Sequence, residues 1–245
     1  MALQELPSFS ELYRRTEQRL SRCELAFAPA TRIQESFVAA AEKKALAWLA
    51  ARTPAWINSD HLTMLGFAGN LAAGVCYALA RREPLMLLAA VACLAINWLG
   101  DSLDGTLARV RNRQRPRYGF YVDHVIDTFS AFFLMGGLAL SGYVHPAIAF
   151  GMLVAFLMLS VEVYLASYTL NTFRLSYAKF GPTEIRILLA VGSVALLFRP
   201  MTHILGRPYR LFDVGGVIAI AGMVSILIVS AIRHTAQLYR EERIR

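Results

Sequence analysis

Residues 97–127 read NWLGDSLDGTLARVRNRQRPRYGFYVDHVID, and four aspartates in this stretch sit at the adjoining ends of two apolar segments. Asp101 and Asp104 are three residues apart and Asp123 and Asp127 four apart, so on helices each pair turns both carboxylates to one face. Asn97, Gly105 and Ala108 share the face of Asp101 and Asp104, and Arg109 follows at once. The connection, predicted between residues 108 and 120, carries Arg109, Arg111, Arg113, Arg115 and Arg117 and brings the two acidic pairs together. Carboxylates at membrane depth are costly unless they are paired, hydrated or bound to a cation. A divalent metal accounts for four of them at one level, because hard oxygen ligands suit Mg²⁺, Mn²⁺ or Ca²⁺. Mg²⁺ is usually completed by phosphate oxygens and water, so two acidic pairs beside an arginine point to a diphosphate substrate. The competing reading is structural: Arg109, Arg111 and Arg113 neutralise the carboxylates with no metal.

Composition supports the membrane setting. Of 245 residues 56% are hydrophobic and 17% charged, against about a quarter charged in a soluble domain. The apolar residues fall into blocks of nearly transmembrane length, predicted at 60–80, 85–108, 120–142, 146–168, 184–199 and 213–233. Arg81-Arg82-Glu83-Pro84 and Ser141-Gly142-Tyr143-Val144-His145-Pro146 punctuate them with turn residues. The fifth block is short for a bilayer crossing. Ahead of them, residues 31–52 alternate Ile33, Phe37, Leu46, Trp48 and Leu49 with Glu35, Glu42, Lys43 and Lys44. That pattern predicts an amphipathic helix, lying on the membrane surface or packed on a cytosolic face of the protein. The fold expected is therefore an all-α integral membrane protein with six transmembrane helices and an N-terminal amphipathic juxtamembrane helix. Residues 1–55 form its cytoplasmic N-terminal segment, 56–235 the six-span domain and 236–245 a cytoplasmic tail.

The formal charge of +8 suits membrane topology and anionic headgroups better than nucleic acid. With both termini cytoplasmic, every Lys and Arg of the 25 except Arg81, Arg82, Arg199, Arg207 and Arg210 lies inside. The four aspartates then face the cytoplasm, where nucleotide-activated substrates are found. Cys23, Cys76 and Cys93 make no close-spaced pair, which argues against a disulfide or zinc framework. Residues 1–30 hold no continuous apolar core before a small-residue cleavage site, so no cleaved signal peptide is expected. Trp56, Trp98 and Tyr143 read as interfacial anchors, and residues 209–212 as an interfacial segment. Gly136, Gly137, Gly142 and Gly151 read as sites of close helix packing.

Asp101-x-x-Asp104-Gly105-x-x-Ala108-Arg109, then Gly119-x-x-x-Asp123-x-x-x-Asp127, resembles the signature of the CDP-alcohol phosphotransferases, which make phospholipids at membranes. The stretch between Arg109 and Gly119 is one residue longer than the family's usual pattern, a change that a loop absorbs readily. The resemblance implies that Asp101, Asp104 and Asp123 bind metal, Mg²⁺ or Mn²⁺. It implies that Asp127 is the general base for the acceptor hydroxyl, or else a fourth metal ligand. Gly105, Ala108, Arg109 and Gly119 would frame the cytidine nucleotide alongside Asp101 and Asp104, with Thr63 nearby. A CDP-linked donor, an alcohol acceptor, the bilayer and a second copy of the chain are the partners implied.

The acceptor half is written elsewhere. Glu162 lies within the fourth span, where a carboxylate is a functional candidate by default. Its other reading is a hydrogen-bonded partner of groups such as Ser160, Tyr164 or Ser167. Asn171, Arg174, Lys179, Glu184 and Arg186 line the next cytoplasmic segment, where basic residues either receive a phosphorylated acceptor or obey the positive-inside rule. His124, directly after Asp123, and Thr172-Phe173-Arg174 with Thr183-Glu184 resemble choline and ethanolamine phosphotransferases, which use diacylglycerol as acceptor. His124 either acts as acid or base or donates to a backbone carbonyl. The reaction favoured is transfer of a phosphatidyl group from CDP-diacylglycerol to a small polar alcohol, releasing CMP; the alternative is a CDP-aminoalcohol donor with diacylglycerol. A non-enzymatic alternative is a divalent-cation transporter using the aspartates as a permeation site. Gly105, Ala108 and Arg109 discriminate, since a nucleotide needs them and a cation pore does not.

Overall fold

Each apolar block ends at a Pro, Gly or Asn that breaks the helical ladder, and long helices form between these breaks. The structure, a computed structural model, describes residues 31–33, 39–170, 172–174 and 182–243. Among these residues the helices are α1 (Ala39–Arg52), α2 (Ser59–Leu79), α3 (Met86–Val110), α4 (Pro116–Leu140), α5 (Pro146–Leu170), α6 (Pro182–Phe198) and α7 (Leu211–Glu241). Three of them open on proline, whose missing N–H is harmless at the first helical position. Strand β1 (Thr31–Ile33) pairs in parallel with β2 (Thr172–Arg174), and β3 (Met201–Ile204) forms a hairpin with β4 (Arg207–Arg210). Leu205 and Gly206, with φ of 50° and 78°, make the two-residue turn between β3 and β4; such left-handed pairs match the twist of a hairpin.

Five helices, α2, α3, α4, α5 and α7, are long and apolar enough to cross a membrane. Helix α6 has 17 residues, about 26 Å at ~1.5 Å per residue, against a hydrocarbon core of ~30 Å. The predicted blocks and the helices agree closely, with three differences. The helix expected over 31–52 is seen over Ala39–Arg52, and Thr31–Ile33 is instead a strand paired with β2, a partner far along the chain that no local pattern announces. Helix α4 begins at Pro116, so only residues 111–115 connect it to α3 and Gly119 is already helical. Helix α7 runs on to Glu241, carrying the expected tail out as helix.

The core runs through the α2–α3–α4 contact, with Ala73, Tyr77, Leu87, Ala90, Leu94, Leu134 and Leu138 buried there. The Tyr77 hydroxyl lies 2.6 Å from Ser193 Oγ, tying α2 to α6. Two glycine pairs set the helix crossings. A Cβ on Gly100 would strike the backbone of Gly66, and one on Gly137 the carbonyl of Gly74, so α3 and α4 each touch α2 through bare backbone. Of the four packing glycines expected, Gly137 fills that role. Gly151 also does so, since a Cβ there would lie 3.0 Å from the Ile220 side chain of α7, whereas Gly136 faces open space and Gly142 takes φ of 79° in the α4–α5 turn. Helix α1 packs on the bundle through Leu46 and Ala50, buried with Leu62, Leu103 and Leu107, while Trp48 stays exposed with Arg52 stacked 4.0 Å over it.

Candidate active site

The first turn of α2 is locked by a capping box. Asn58 Oδ1 accepts the His61 N–H at 3.0 Å, and the Asn58 N–H donates to His61 Nδ1 at 3.4 Å. This turn aims Ser59 and Thr63 at α3. The Ser59 hydroxyl donates to the Asp104 carbonyl at 2.9 Å, and Thr63 Oγ1 lies 2.7 Å from Asp104 Oδ2 and 3.0 Å from the Ser59 carbonyl. Thr63 has one proton, and the carboxylate is the stronger acceptor. The other carboxylate oxygen, Asp104 Oδ1, accepts the Gly105 N–H.

Asp101, one turn earlier on α3, is held from α6. Arg186 Nη2 donates to Asp101 Oδ2 at 2.6 Å and Arg186 Nε to Asn97 Oδ1 at 2.8 Å. The Asn97 amide is itself fixed, because its Nδ2 donates to the Gly66 carbonyl at 2.9 Å. Thus one arginine spans two polar side chains of α3 a single turn apart. The nearby Glu42 on α1 ties the same helices from the other side. Its Oε1 accepts from Trp98 Nε1 at 2.8 Å, Thr183 Oγ1 at 3.0 Å and Ser102 Oγ at 3.3 Å. Trp98, expected as an interfacial anchor, is therefore a hydrogen-bonded strut between α1 and α3.

Helix α3 ends in a Schellman motif: Asn112 adopts φ of 52°, its N–H bonds the Arg109 carbonyl at 3.1 Å and the Arg113 N–H bonds the Ala108 carbonyl at 2.9 Å. The sharp stop leaves Arg109 on the last turn, its Nη2 on Thr106 Oγ1 at 2.9 Å and its Nη1 3.5 Å from where a Cβ on Gly105 would lie. Gly105 thereby keeps space beside the Arg109 guanidinium. Arg111 is otherwise engaged: its guanidinium bonds the carbonyls of Thr53 at 2.7 Å, Pro54 at 3.0 Å and Ile57, stapling the α1–α2 link. Arg115 pairs with Asp60, whose hydrogen bond raises the guanidinium's pKa, and stacks on Tyr118 at 4.1 Å. The purely structural reading of the arginines thus fails for Arg111, which spends its donors on backbone.

Asp123 and Asp127 enter from α4. Asp127 lies within electrostatic range of Asp101, Asp123, Asp104 and Arg186, so the short link does bring the two acidic pairs to one place. Arg186 sets a positive charge against Asp101 at this cluster. Among the described residues no three Asp, Glu, His or Cys side chains are grouped so that they could hold a metal ion by themselves. The donor set still fits a divalent cation in hardness and charge, and an open shell is the arrangement that Mg²⁺ completes with substrate oxygens and water. Gly119, on the first turn of α4, has no atom within 4 Å of an added Cβ and leaves open room on that side.

The acceptor candidates separate. His124 Nδ1 lies 2.5 Å from the Phe120 carbonyl, and its ring packs 4.1 Å from Phe120 and 4.6 Å, edge-on, from Tyr164 of α5. Tyr164 in turn lies within electrostatic range of Asp127 and Asp123. Glu162 takes another direction: its Oε1 meets His234 Nδ1 of α7 at 2.6 Å, so its partner is neither Ser160 nor Ser167, which bond their own helix's carbonyls. Glu184 is buried in the first turn of α6, two residues before Arg186. Arg174 lies on β2, its side chain outside the described residues, as are Asn171 and Lys179. The residues that the motif alone did not single out are Arg186, Glu42 and Tyr164; an arginine one turn inside an apolar helix was the available signal for the first.

A family model described as CDP-alcohol phosphatidyltransferase matches residues 56–232. Enzymes of this kind move substituted phosphate groups in phospholipid synthesis and generally depend on a divalent metal. The match begins just ahead of α2, ends within α7 and takes in every residue of the aspartate cluster; the chain belongs to the CDP-alcohol phosphatidyltransferase family.

Proposed function

We propose that this protein transfers the phosphatidyl group of CDP-diacylglycerol to a small polar alcohol and releases CMP, in a reaction dependent on Mg²⁺ or Mn²⁺. What supports the reading most is the position of Asp127 among Asp101, Asp104 and Asp123 at the α3–α4 junction. Asp101, Asp104 and Asp123 would hold the metal, which when bound would neutralise charge on the diphosphate oxygens. Thr63 keeps one oxygen of Asp104 in place, and Arg186 does the same for Asp101. Arg109 sits beside Gly105 and Ala108, where a guanidinium binds the leaving CMP phosphate and the small side chains admit the nucleotide. Asp127 takes the proton of the acceptor hydroxyl as its oxygen bonds to phosphorus and the bond from phosphorus to the CMP oxygen breaks.

We read α6 as the sixth crossing, with both termini and the aspartates on the cytoplasmic face and two copies of the chain in the working enzyme. Residues 56–235 are the catalytic unit and α1 a brace on its cytoplasmic side. Among acceptor candidates, His124 lies on α4, which carries Asp123 and Asp127, and Glu184 on α6, two residues before Arg186, whereas Glu162 serves as a lock between α5 and α7. A second reading, a CDP-aminoalcohol donor with diacylglycerol as acceptor, is favoured by His124, whose ring packs on Tyr164, a residue within electrostatic range of Asp127 and Asp123. Incubating the purified protein in lipid with CDP-diacylglycerol or CDP-choline and a panel of alcohols, with mass spectrometry of the lipid product, separates the two. No CMP from any CDP-linked lipid, together with uptake of a divalent ion into vesicles, would leave transport as the function.

A further inference from the structure

Arg186 is a cation near the start of α6, an element that brings no residue of the aspartate motif, yet it bonds the first aspartate of that motif at 2.6 Å. Its two contacts differ in kind. The inner one, Nε on Asn97 Oδ1, is anchored, since the Asn97 amide is fixed to the Gly66 carbonyl and α2 and α3 touch there through backbone. The outer one, Nη2 on Asp101 Oδ2, joins two partly exposed groups at the edge of the acidic cluster. A guanidinium pinned at Nε still turns its outer nitrogens by small side-chain rotations. Four carboxylates with no cation repel one another strongly in a low-dielectric setting, and a fixed positive charge on one of them relieves that repulsion.

We propose that Arg186 is the resident counter-ion of Asp101: a divalent cation entering the cluster displaces Nη2 from the carboxylate, and the freed guanidinium edge, still held on Asn97, turns to the diphosphate of the donor. Arg186 is on this account a positioning residue with two successive anionic partners. The proposal rests on the reading of the aspartates as metal ligands, and its signature is that metal and donor affinities move in opposite directions when the arginine is removed. A merely structural arginine would weaken both.

The test is Mn²⁺ titration by electron paramagnetic resonance on the full chain in lipid nanodiscs, without nucleotide, followed by CDP-diacylglycerol binding at saturating Mn²⁺. Arg186→Gln is expected to bind Mn²⁺ on the order of tenfold more tightly than wild type and CDP-diacylglycerol on the order of tenfold more weakly. Arg186→Lys, which keeps the charge, stays near wild type for Mn²⁺ but loses donor affinity with the planar fork. Asp104→Asn is the control and loses Mn²⁺. If wild type binds Mn²⁺ and Asp104→Asn does not, but folded Arg186→Gln shows no tightening, the proposal alone is overturned. If wild type binds no Mn²⁺, the metal reading fails and takes the proposal with it. Should Arg186→Gln not fold, nitrogen-15 arginine spectra of the wild-type chain decide: saturating Mg²⁺ shifts the Arg186 Nη resonances, assigned by their absence in Arg186→Lys, and an unmoved signal overturns the displacement.

Discussion

Thr63 Oγ1 lies 2.7 Å from Asp104 Oδ2, so the first membrane helix orients a carboxylate carried by the second. A hydroxyl-to-carboxylate bond of this kind contributes about 1.5–3 kcal/mol. Thr63→Val keeps shape and removes the donor to Asp104 Oδ2, while the Gly105 N–H still holds Oδ1. The variant is expected to fold, to bind Mn²⁺ on the order of ten- to a hundredfold more weakly by that energy, and to need correspondingly more metal for half-maximal turnover. Thr63→Ser restores both values, and titration of activity against Mn²⁺ reads the comparison.

Glu42 gathers three donors from α3 and α6 onto one oxygen. Glu42→Ala strands the Trp98 and Thr183 donors in a half-buried seam, a loss on the order of 1–3 kcal/mol. Its thermal midpoint in detergent should fall by several degrees, and turnover should fall with it because α6 carries Arg186. Glu42→Gln retains an acceptor oxygen and is expected to lose less of both.

Gly137 and Gly136 are neighbours with opposite prospects. A Cβ at Gly137 meets the Gly74 carbonyl, and one at Gly136 meets nothing within 4 Å. Gly137→Ala should sharply reduce the yield of folded protein, since backbone has to move to admit it. Gly136→Ala is expected to be neutral or to stabilise by up to about 1 kcal/mol through helix propensity. Size-exclusion profiles and melting curves of the two variants check this directly.

Glu162 and His234 lie 2.6 Å apart across α5 and α7. If they form a lock, the single variants Glu162→Ala and His234→Ala each lower stability and the double variant falls short of their sum. The coupling from a double-mutant cycle of thermal unfolding is expected at about 0.6–1.7 kcal/mol, the range for polar pairs between membrane helices. Strict additivity would deny the contact.

The helices were legible because apolar blocks and their Pro and Gly breaks are local signals, and the aspartate pairs because spacing alone places them on helix faces. What escaped the sequence is non-local. Thr31–Ile33 pairs with Thr172–Arg174, partners that no periodicity links, so the strand was read as the start of a helix. Arg186 reads from the sequence only as a contact for a phosphorylated acceptor or a topology charge, because its partners, Asn97 and Asp101, sit on another helix some ninety positions earlier. Trp98 read as a surface anchor because Glu42, the group its indole meets, stands far from it in the chain. Glu162 reads from the sequence either as an acceptor contact or as a carboxylate hydrogen-bonded across helices, and only the α5–α7 packing shows His234 as its partner.

The central claim is that the aspartates divide the work, with Asp127 moving the proton. The direct measurement is CMP release from CDP-diacylglycerol by purified protein in lipid, with Mg²⁺ and an accepted alcohol, set beside nucleotide binding in the same samples. Wild type is expected to release CMP; Asp127→Asn to bind the donor as wild type does while release drops by about 10²–10⁴-fold, the usual contribution of a general base; Asp101→Asn and Asp104→Asn to lose binding and release together. Full CMP release by Asp127→Asn would contradict the account.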